Sequence, residues 1–246
     1  MNRQLRRLLL VSMAGVLFST TAARSFAAAA EPIATSAAIA PGMSAEVIVA
    51  QLGKRNQQRA AALHAYASKR SYRLEYRGFP SDRNAAMEVV THYQSPQNKT
   101  FDVVTQSGSK LIQSKVFAKL LESEREASSA EHQSQTALTP DNYVFTLLGS
   151  RPSQYGGCYR LGVEPRHDNK FLYRGEICVN AADFAVESID AEPAKSPSFW
   201  IKKTRIAHRY QRIGEFWLPA SNQTVTSVRL GGTATLSILY SGYEMR

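Results

Sequence analysis

The chain has 246 residues, with 30 Lys and Arg against 20 Asp and Glu, for a formal net charge of +10. Arg3, Arg6, Arg7 and Arg24 supply four of those charges within an acid-free stretch, residues 1–27, and without them +6 remains. A surplus that modest, spread along the chain, argues against nucleic acid as a partner. It reads as a solvated basic surface that favours anionic partners such as membrane surfaces or phosphate head groups.

The first elements concern targeting. Arg3, Arg6 and Arg7 precede an apolar run, Leu8 to Phe18, about the length of a signal-peptide core and too short to span a bilayer. Small residues follow, and Ser25-Phe26-Ala27 or Ala27-Ala28-Ala29 suits a signal peptidase. Residues 1–27 are therefore expected to be a signal peptide, cleaved near residues 27–30, that delivers the chain to the periplasm. Cys is absent from this region, so no lipid anchor on a new N-terminal Cys is expected. Residues 28–42, Ala-rich with Pro32 and Pro41, read as a flexible mature N-terminus. Residues 43–246 are enough for one domain with a full core and are expected to form a single one.

Within that domain, Met43 to Ser68 has helical spacing, with Ser44 as a cap and Gly53 as a site for a kink or a split into two helices. Ser71 to Gly78 alternates, with Tyr72, Leu74 and Tyr76 on one face and Arg73, Glu75 and Arg77 on the other. Met87 to Tyr93 and a strand through Phe101, Val103 and Thr105 complete a meander around the turn Ser95-Pro96-Gln97-Asn98. The period then becomes helical from Ser109 to Ala127, through Leu111, Ile112, Val116, Phe117, Leu120 and Leu121. Ser128 to Thr136 reads as frayed helix or loop. Strands follow at about 143–148, 157–164, 171–180, 184–192, 198–211, 216–229 and 233–244. The fold class is mainly β (α+β): about ten strands in one antiparallel sheet, which twist curls toward a barrel, with two or three helices burying their apolar faces on it.

Cys158 and Cys178 are the only cysteines. A hairpin register that sets one opposite the other also sets Arg160 opposite Glu176, an opposite-charge pair. In an oxidising compartment these cysteines are expected to form a disulfide. Two free thiols or a weak metal site stay open, although no His completes a zinc tetrad.

Signals of catalysis are missing. His64, His92, His132, His167 and His208 are scattered, and there is no nucleophile elbow, phosphate-binding Gly-rich loop or Ser-x-x-Lys set. No enzyme activity, cofactor or metal is expected.

The stretches Tyr173-Arg174-Gly175-Glu176-Ile177, Ala185-Val186-Glu187-Ser188-Ile189, Ser196-Pro197-Ser198-Phe199-Trp200-Ile201-Lys202-Lys203 and Gly214-Glu215-Phe216-Trp217-Leu218-Pro219 resemble outer-membrane lipoprotein-sorting proteins of the LolA-like superfamily. They are also similar to the N-terminal domains of the MucB and RseB group. The resemblance spans roughly residues 45–246. It implies an incomplete antiparallel barrel closed by helices, with an apolar cavity for acyl chains. The implied role is a non-catalytic periplasmic carrier of lipid or lipoprotein acyl chains, a monomer with a possible inner- or outer-membrane protein partner. The alternative is an envelope sensor or binding module that recognises a protein. The strand alternation and the helix above it mark a candidate cavity wall: Tyr72, Leu74, Tyr76, Val89, Phe101 and Val103, with Val116, Phe117 and Leu120 over its mouth. A carrier also needs a helix that can refill its cavity on release, and Leu111 to Leu121, centred on Phe117, is the candidate.

Overall fold

A computed structural model describes residues 42–246 apart from 97, 128–133, 169, 170, 196–198, 200 and 230. The expected signal peptide and nearly all of the Ala-rich segment lie outside the described residues. No described helix is long and apolar enough to cross a membrane.

Helix α1 (Ala45–Ala62) begins at Ser44, whose Oγ accepts from Val47 N at 3.4 Å. Gly53 neither kinks nor divides it. The helix stops short of the expected Ser68 because Leu63 turns extended (φ −84°, ψ 99°) and β1 (Ala65–Gly78) takes over at once. The reason lies in the pattern. Tyr66, Ser68, Arg70, Tyr72 and Leu74 are all buried at every second position, so the alternation that begins β1 reaches back before residue 71.

β1 is followed by β2 (Arg83–Gln94) and β3 (Asn98–Gly108). Next comes a continuous helical run: α2 (Lys110–Ile112), a π-helical turn (Gln113–Phe117) and α3 (Ala118–Ala127). Seven further strands follow: β4 (Tyr143–Ser153), β5 (Gly156–Pro165), β6 (Tyr173–Asn180), β7 (Val186–Pro193), β8 (Ile201–Ile213), β9 (Phe216–Val228) and β10 (Gly232–Met245). All ten strands form one sheet in the order β3-β2-β1-β10-β9-β8-β7-β6-β5-β4. Every neighbouring pair is antiparallel, and β3 and β4 remain as two unjoined edges. This is the expected fold class, a curled antiparallel sheet that stays open, with helices on one face.

The register places one residue from each strand in a single row: Gln106, Met87, Tyr72, Ile238, Asn222, His208, Ile189, Ile177, Leu161 and Leu147. Cross-strand partners share a face, so this row shows how the face is organised. Apart from Gln106 on the edge strand β3, its two flanks are apolar, and its centre, on β8 and β9, is polar. The helices divide the face accordingly. Ile48, Val49 and Leu52 of α1 pack on Tyr143, Leu161, Ile177 and Ile189 of the β4–β7 half. Ile112, Val116, Phe117 and Leu121 pack on Tyr72, Leu74, Met87, Val89 and Leu236 of the other half. Ile48, Leu52, Leu74 and Phe117 are fully buried, and each contributes about 1.5–3 kcal/mol of apolar burial.

Cys158 and Cys178 form a disulfide with their Cα atoms 5.6 Å apart. The hairpin register differs by two residues from the expected one: Cys158 stands opposite Asn180, and Cys178 opposite Arg160. Alternation fixes which face each residue takes and leaves open which of two same-face registers the hairpin adopts. Asn180 ends β6, and its Oδ1 accepts from the backbone N–H groups of Ala182 and Asp183 at 2.9 and 3.0 Å in the turn toward β7. A two-residue shift keeps every side chain on its expected face. The disulfide and the Arg160–Glu176 ion pair (2.7 Å) therefore both form, as diagonal rather than directly opposed pairs.

Candidate ligand-binding site

Between the two covered halves the helix-bearing face has two adjoining hollows. The larger, about 520 Å³, lies along the C-terminal half of α1. Leu63, Leu138, Phe171, Tyr173, Val186, Ile189, Phe216, Trp217 and Leu218 make most of its wall. This volume falls in the range of about 300–1,000 Å³ usual for small-ligand sites. Trp217 is fixed in the wall by Nε1 donating to Asp183 Oδ2 at 2.7 Å and by an edge-on contact with Tyr155 (4.6 Å).

The smaller hollow, about 230 Å³, is polar and is lined by Tyr66, Arg70, Lys99, Glu124, His208, Arg209, Tyr210, Pro219, Ser221, Asn222 and Tyr240. His208 and Tyr210 belong to both walls, so the hollows meet at these two side chains. The topology explains the placement. Arg70 follows the inward alternation of β1, Lys99 comes from the sheet edge β3, and Glu124 descends from α3 to meet them.

Arg70 is the centre of the polar hollow, with its side chain 3% exposed. Nη1 donates to Glu124 Oε2 at 2.5 Å and to the Tyr72 hydroxyl at 3.3 Å, and Tyr72 donates to Glu124 Oε1 at 3.3 Å. The guanidinium lies over the rings of Tyr240 (4.9 Å) and Phe101 (5.3 Å). Its Nε is buried without a hydrogen-bond acceptor among the described residues. Lys99 Nζ stands 3.7 Å from the same Glu124 carboxylate.

These contacts set the proton affinities. Burial opposes the Arg70 charge, but Glu124, helped by Tyr72 and Tyr240, outweighs it and holds the pKa above the ordinary arginine value. Burial, with Glu124 adding to it, pushes the Tyr72 and Tyr240 hydroxyls up. Burial pulls the Lys99 ammonium down against the attraction of Glu124. Burial, aided by Arg209, draws His208 down to about 4, so its ring is neutral at neutral pH.

A third recess, about 890 Å³, lies on the opposite face between β4 and β9. Apart from Arg205, its charged lining is engaged in exposed pairs, Arg174–Glu164 (2.9 Å), Lys203–Glu192 (2.6 Å) and Arg209–Asp190 (2.6 Å), the pattern of a solvated outer surface.

Of the residues expected to wall a cavity, Tyr72, Leu74, Val89, Phe101, Val116 and Phe117 come together in the buried cluster beneath α2 and α3, and Leu120 packs against it. Phe117 sits 6.1 Å from Tyr72, ring to ring. Val103 is 46% exposed at the β3 edge, and Tyr76 donates to the Phe79 carbonyl at the β1–β2 turn. None of the nine lines either hollow. Sequence reasoning missed Arg70, Lys99, Glu124 and His208. Arg70 alone had a signal, because extending the Tyr72–Leu74–Tyr76 alternation back by two residues turns it inward.

No protein-family model matches the sequence, and no curated protein is similar to it. Among solved structures, the chain is similar to a DUF1329 family protein from Desulfovibrio piger at 12% identity, TM-score 0.40, covering 82% of this chain and 93% of that one. An outer membrane lipoprotein-sorting protein domain from Vibrio parahaemolyticus matches at 10% identity, TM-score 0.35, over 78% of this chain and 91% of its own. A LolA superfamily protein from Nitrosomonas europaea matches at 10% identity, TM-score 0.34, over 83% and 94%. These are likenesses of outline, and no functional argument rests on them.

Proposed function

We propose that this chain is a non-catalytic periplasmic carrier that binds the acyl chains of a lipid or lipoprotein on the helix-bearing face of its sheet. The observation that carries the reading is the apolar recess of about 520 Å³ beside α1, which shares a wall with a polar chamber at the centre of the face. Each methylene moved from water into such a recess gains about 0.8 kcal/mol. A chain of ordinary length is then held firmly, and release requires the protein to refill the space itself. The run α2–α3 suits that task. Phe117 fills the space above Tyr72 in the resting state, a π-helical turn breaks the regular hydrogen-bond ladder at Gln113–Phe117, and Glu124 ties α3 to Arg70 on the sheet. Lifting α2–α3 would expose Tyr72, Leu74, Val89, Phe101, Val116, Phe117 and Leu120 as a continuation of the recess, with Tyr76 and Val103 at its margins.

The test is the mass of protein isolated from a periplasm, measured under native conditions, together with displacement of a fluorescent fatty-acid probe. Bound lipid and displacement are expected. Ligand-free protein that also fails to displace the probe would sink the reading.

A second reading, an envelope module that recognises a protein, is favoured by one feature. The unpaired edge β3 exposes Val103 and Val104 at 46% and 60%, where a partner strand could add. A stoichiometric partner that is not a lipoprotein, captured from envelope extract and lost on Val104→Lys, would select it.

A further inference from the structure

We infer that the polar chamber takes the anionic head group, carboxylate or phosphate monoester, of a single-chain amphiphile whose tail lies in the adjoining recess. This inference rests on the carrier reading and adds the chemistry that the ligand must bring.

Arg70 and Lys99 both face one carboxylate, Glu124. Arg209 also lines the chamber, but its guanidinium bonds Asp190 and the carbonyls of Ile189 and His208. His208 adds no countercharge. Among the described residues the chamber therefore sets two cations, the buried Arg70 and the half-buried Lys99, against one carboxylate, and a charge held out of water stands at a cost until it is paired. Hydrogen-bond donors are also left over: among the described residues Arg70 Nε has no acceptor, and the three donors of Lys99 have one carboxylate oxygen at 3.7 Å. Tyr66, Tyr240 and Asn222 border the same space with groups that can donate to an anion. A volume of about 230 Å³ is far above the roughly 15 Å³ that a single water needs. The shared wall at His208 and Tyr210 puts that charge at the end of an apolar recess, the arrangement that one amphiphile satisfies and that a neutral chain or a free anion satisfies only by half.

The experiment uses the mature chain with its disulfide intact and 1-N-phenylnaphthylamine, a neutral apolar dye, as the probe. Oleate, oleoyl lysophosphatidate and oleyl alcohol displace it at neutral pH, each below its micelle concentration. Both anions are expected to displace at about tenfold lower concentration than the alcohol, the size of one charge-assisted hydrogen bond. The stronger of the two identifies the head group as carboxylate or phosphate. Lys99→Met should bring anion and alcohol to within about threefold of each other, and Lys99→Arg, which keeps the charge, should retain the preference. Should Lys99→Met fail to fold, Lys99→Gln serves the same purpose. Equal displacement by all three amphiphiles would overturn the head-group inference and leave the carrier reading standing. Displacement by none would overturn both. A preference undiminished in the charge-removing variant would overturn the chamber as its location.

Discussion

Glu124→Gln should destabilise the protein out of proportion to so small a change. The substitution keeps the side chain's size and removes its charge. Arg70 would then sit in place with 3% of its side chain exposed and no counterion on Nη1. A unit charge pair at about 4 Å is worth roughly 4 kcal/mol at the effective dielectric of a protein edge. Breaking a fully buried pair costs about 3–5 kcal/mol. Glu124 is itself 27% exposed, so water can reach part of the site, and the expected loss is about 2–4 kcal/mol. Urea unfolding followed by far-UV circular dichroism, with the disulfide intact, measures it. The companion variant Arg70→Met/Glu124→Leu removes both charges and should lie within about 1 kcal/mol of the parent. With the singles Arg70→Met and Glu124→Leu, the double variant closes a cycle that gives the coupling. A Glu124→Gln loss below about 1 kcal/mol would refute the reasoning, because it would mean that the Arg70 charge is solvated without its partner.

Leu74, fully buried in the cluster beneath α2 and α3, should cost about 2–5 kcal/mol when cut to Ala, read in the same urea assay. His208 titrates near 4 in the folded chain against about 6.5 unfolded, so its contribution is complete above pH 6.5 and is lost as pH falls from there toward 4, by roughly 2–3 kcal/mol. Melting curves across that window should show the loss in the parent and a flatter profile in His208→Gln. Opening the Cys158–Cys178 bridge, which closes a loop with a sequence separation of 20, should cost about 3 kcal/mol, checked by comparing Cys158→Ser/Cys178→Ser with the parent. Filling the recess should shift Trp217 fluorescence, measured with Trp200→Phe so that one emitter remains. An unchanged spectrum on saturation with oleate would place the ligand elsewhere.

The sheet was legible because its strands alternate one face in and one face out. That pattern located each of β2 to β10 to within about five residues of its ends, and the six-residue error at the start of β1 arose where a helical spacing overlapped it. The disulfide was legible for the same reason, since parity alone brings Cys158 and Cys178 to one face. Their register was not, because alternation fixes the face a residue takes but not which of two same-face registers, two residues apart, the hairpin adopts. The polar chamber was hidden for a deeper reason. Arg70, Lys99, Glu124 and His208 lie far apart in the chain, and each reads locally as an ordinary surface residue. Only the sheet order, which sets β1 beside β10 and separates it from β8 by just two strands, brings them to one place.

That strand order also bears on how the chain matures. β1 completes its pairing with β10, the last strand, from Gly78↔Gly232 to Tyr66↔Met245. The β1–β3 meander emerges early, yet it keeps an open edge until nearly the whole polypeptide has followed. Contacts this distant in sequence form slowly, and an unpaired edge is a template for mispairing in the meantime. A chain that appears N-terminus first should therefore depend on a holding factor until its last strand arrives. Losing only β10 would strip the partner from both β1 and β9, turning a single truncation into two new aggregation-prone edges.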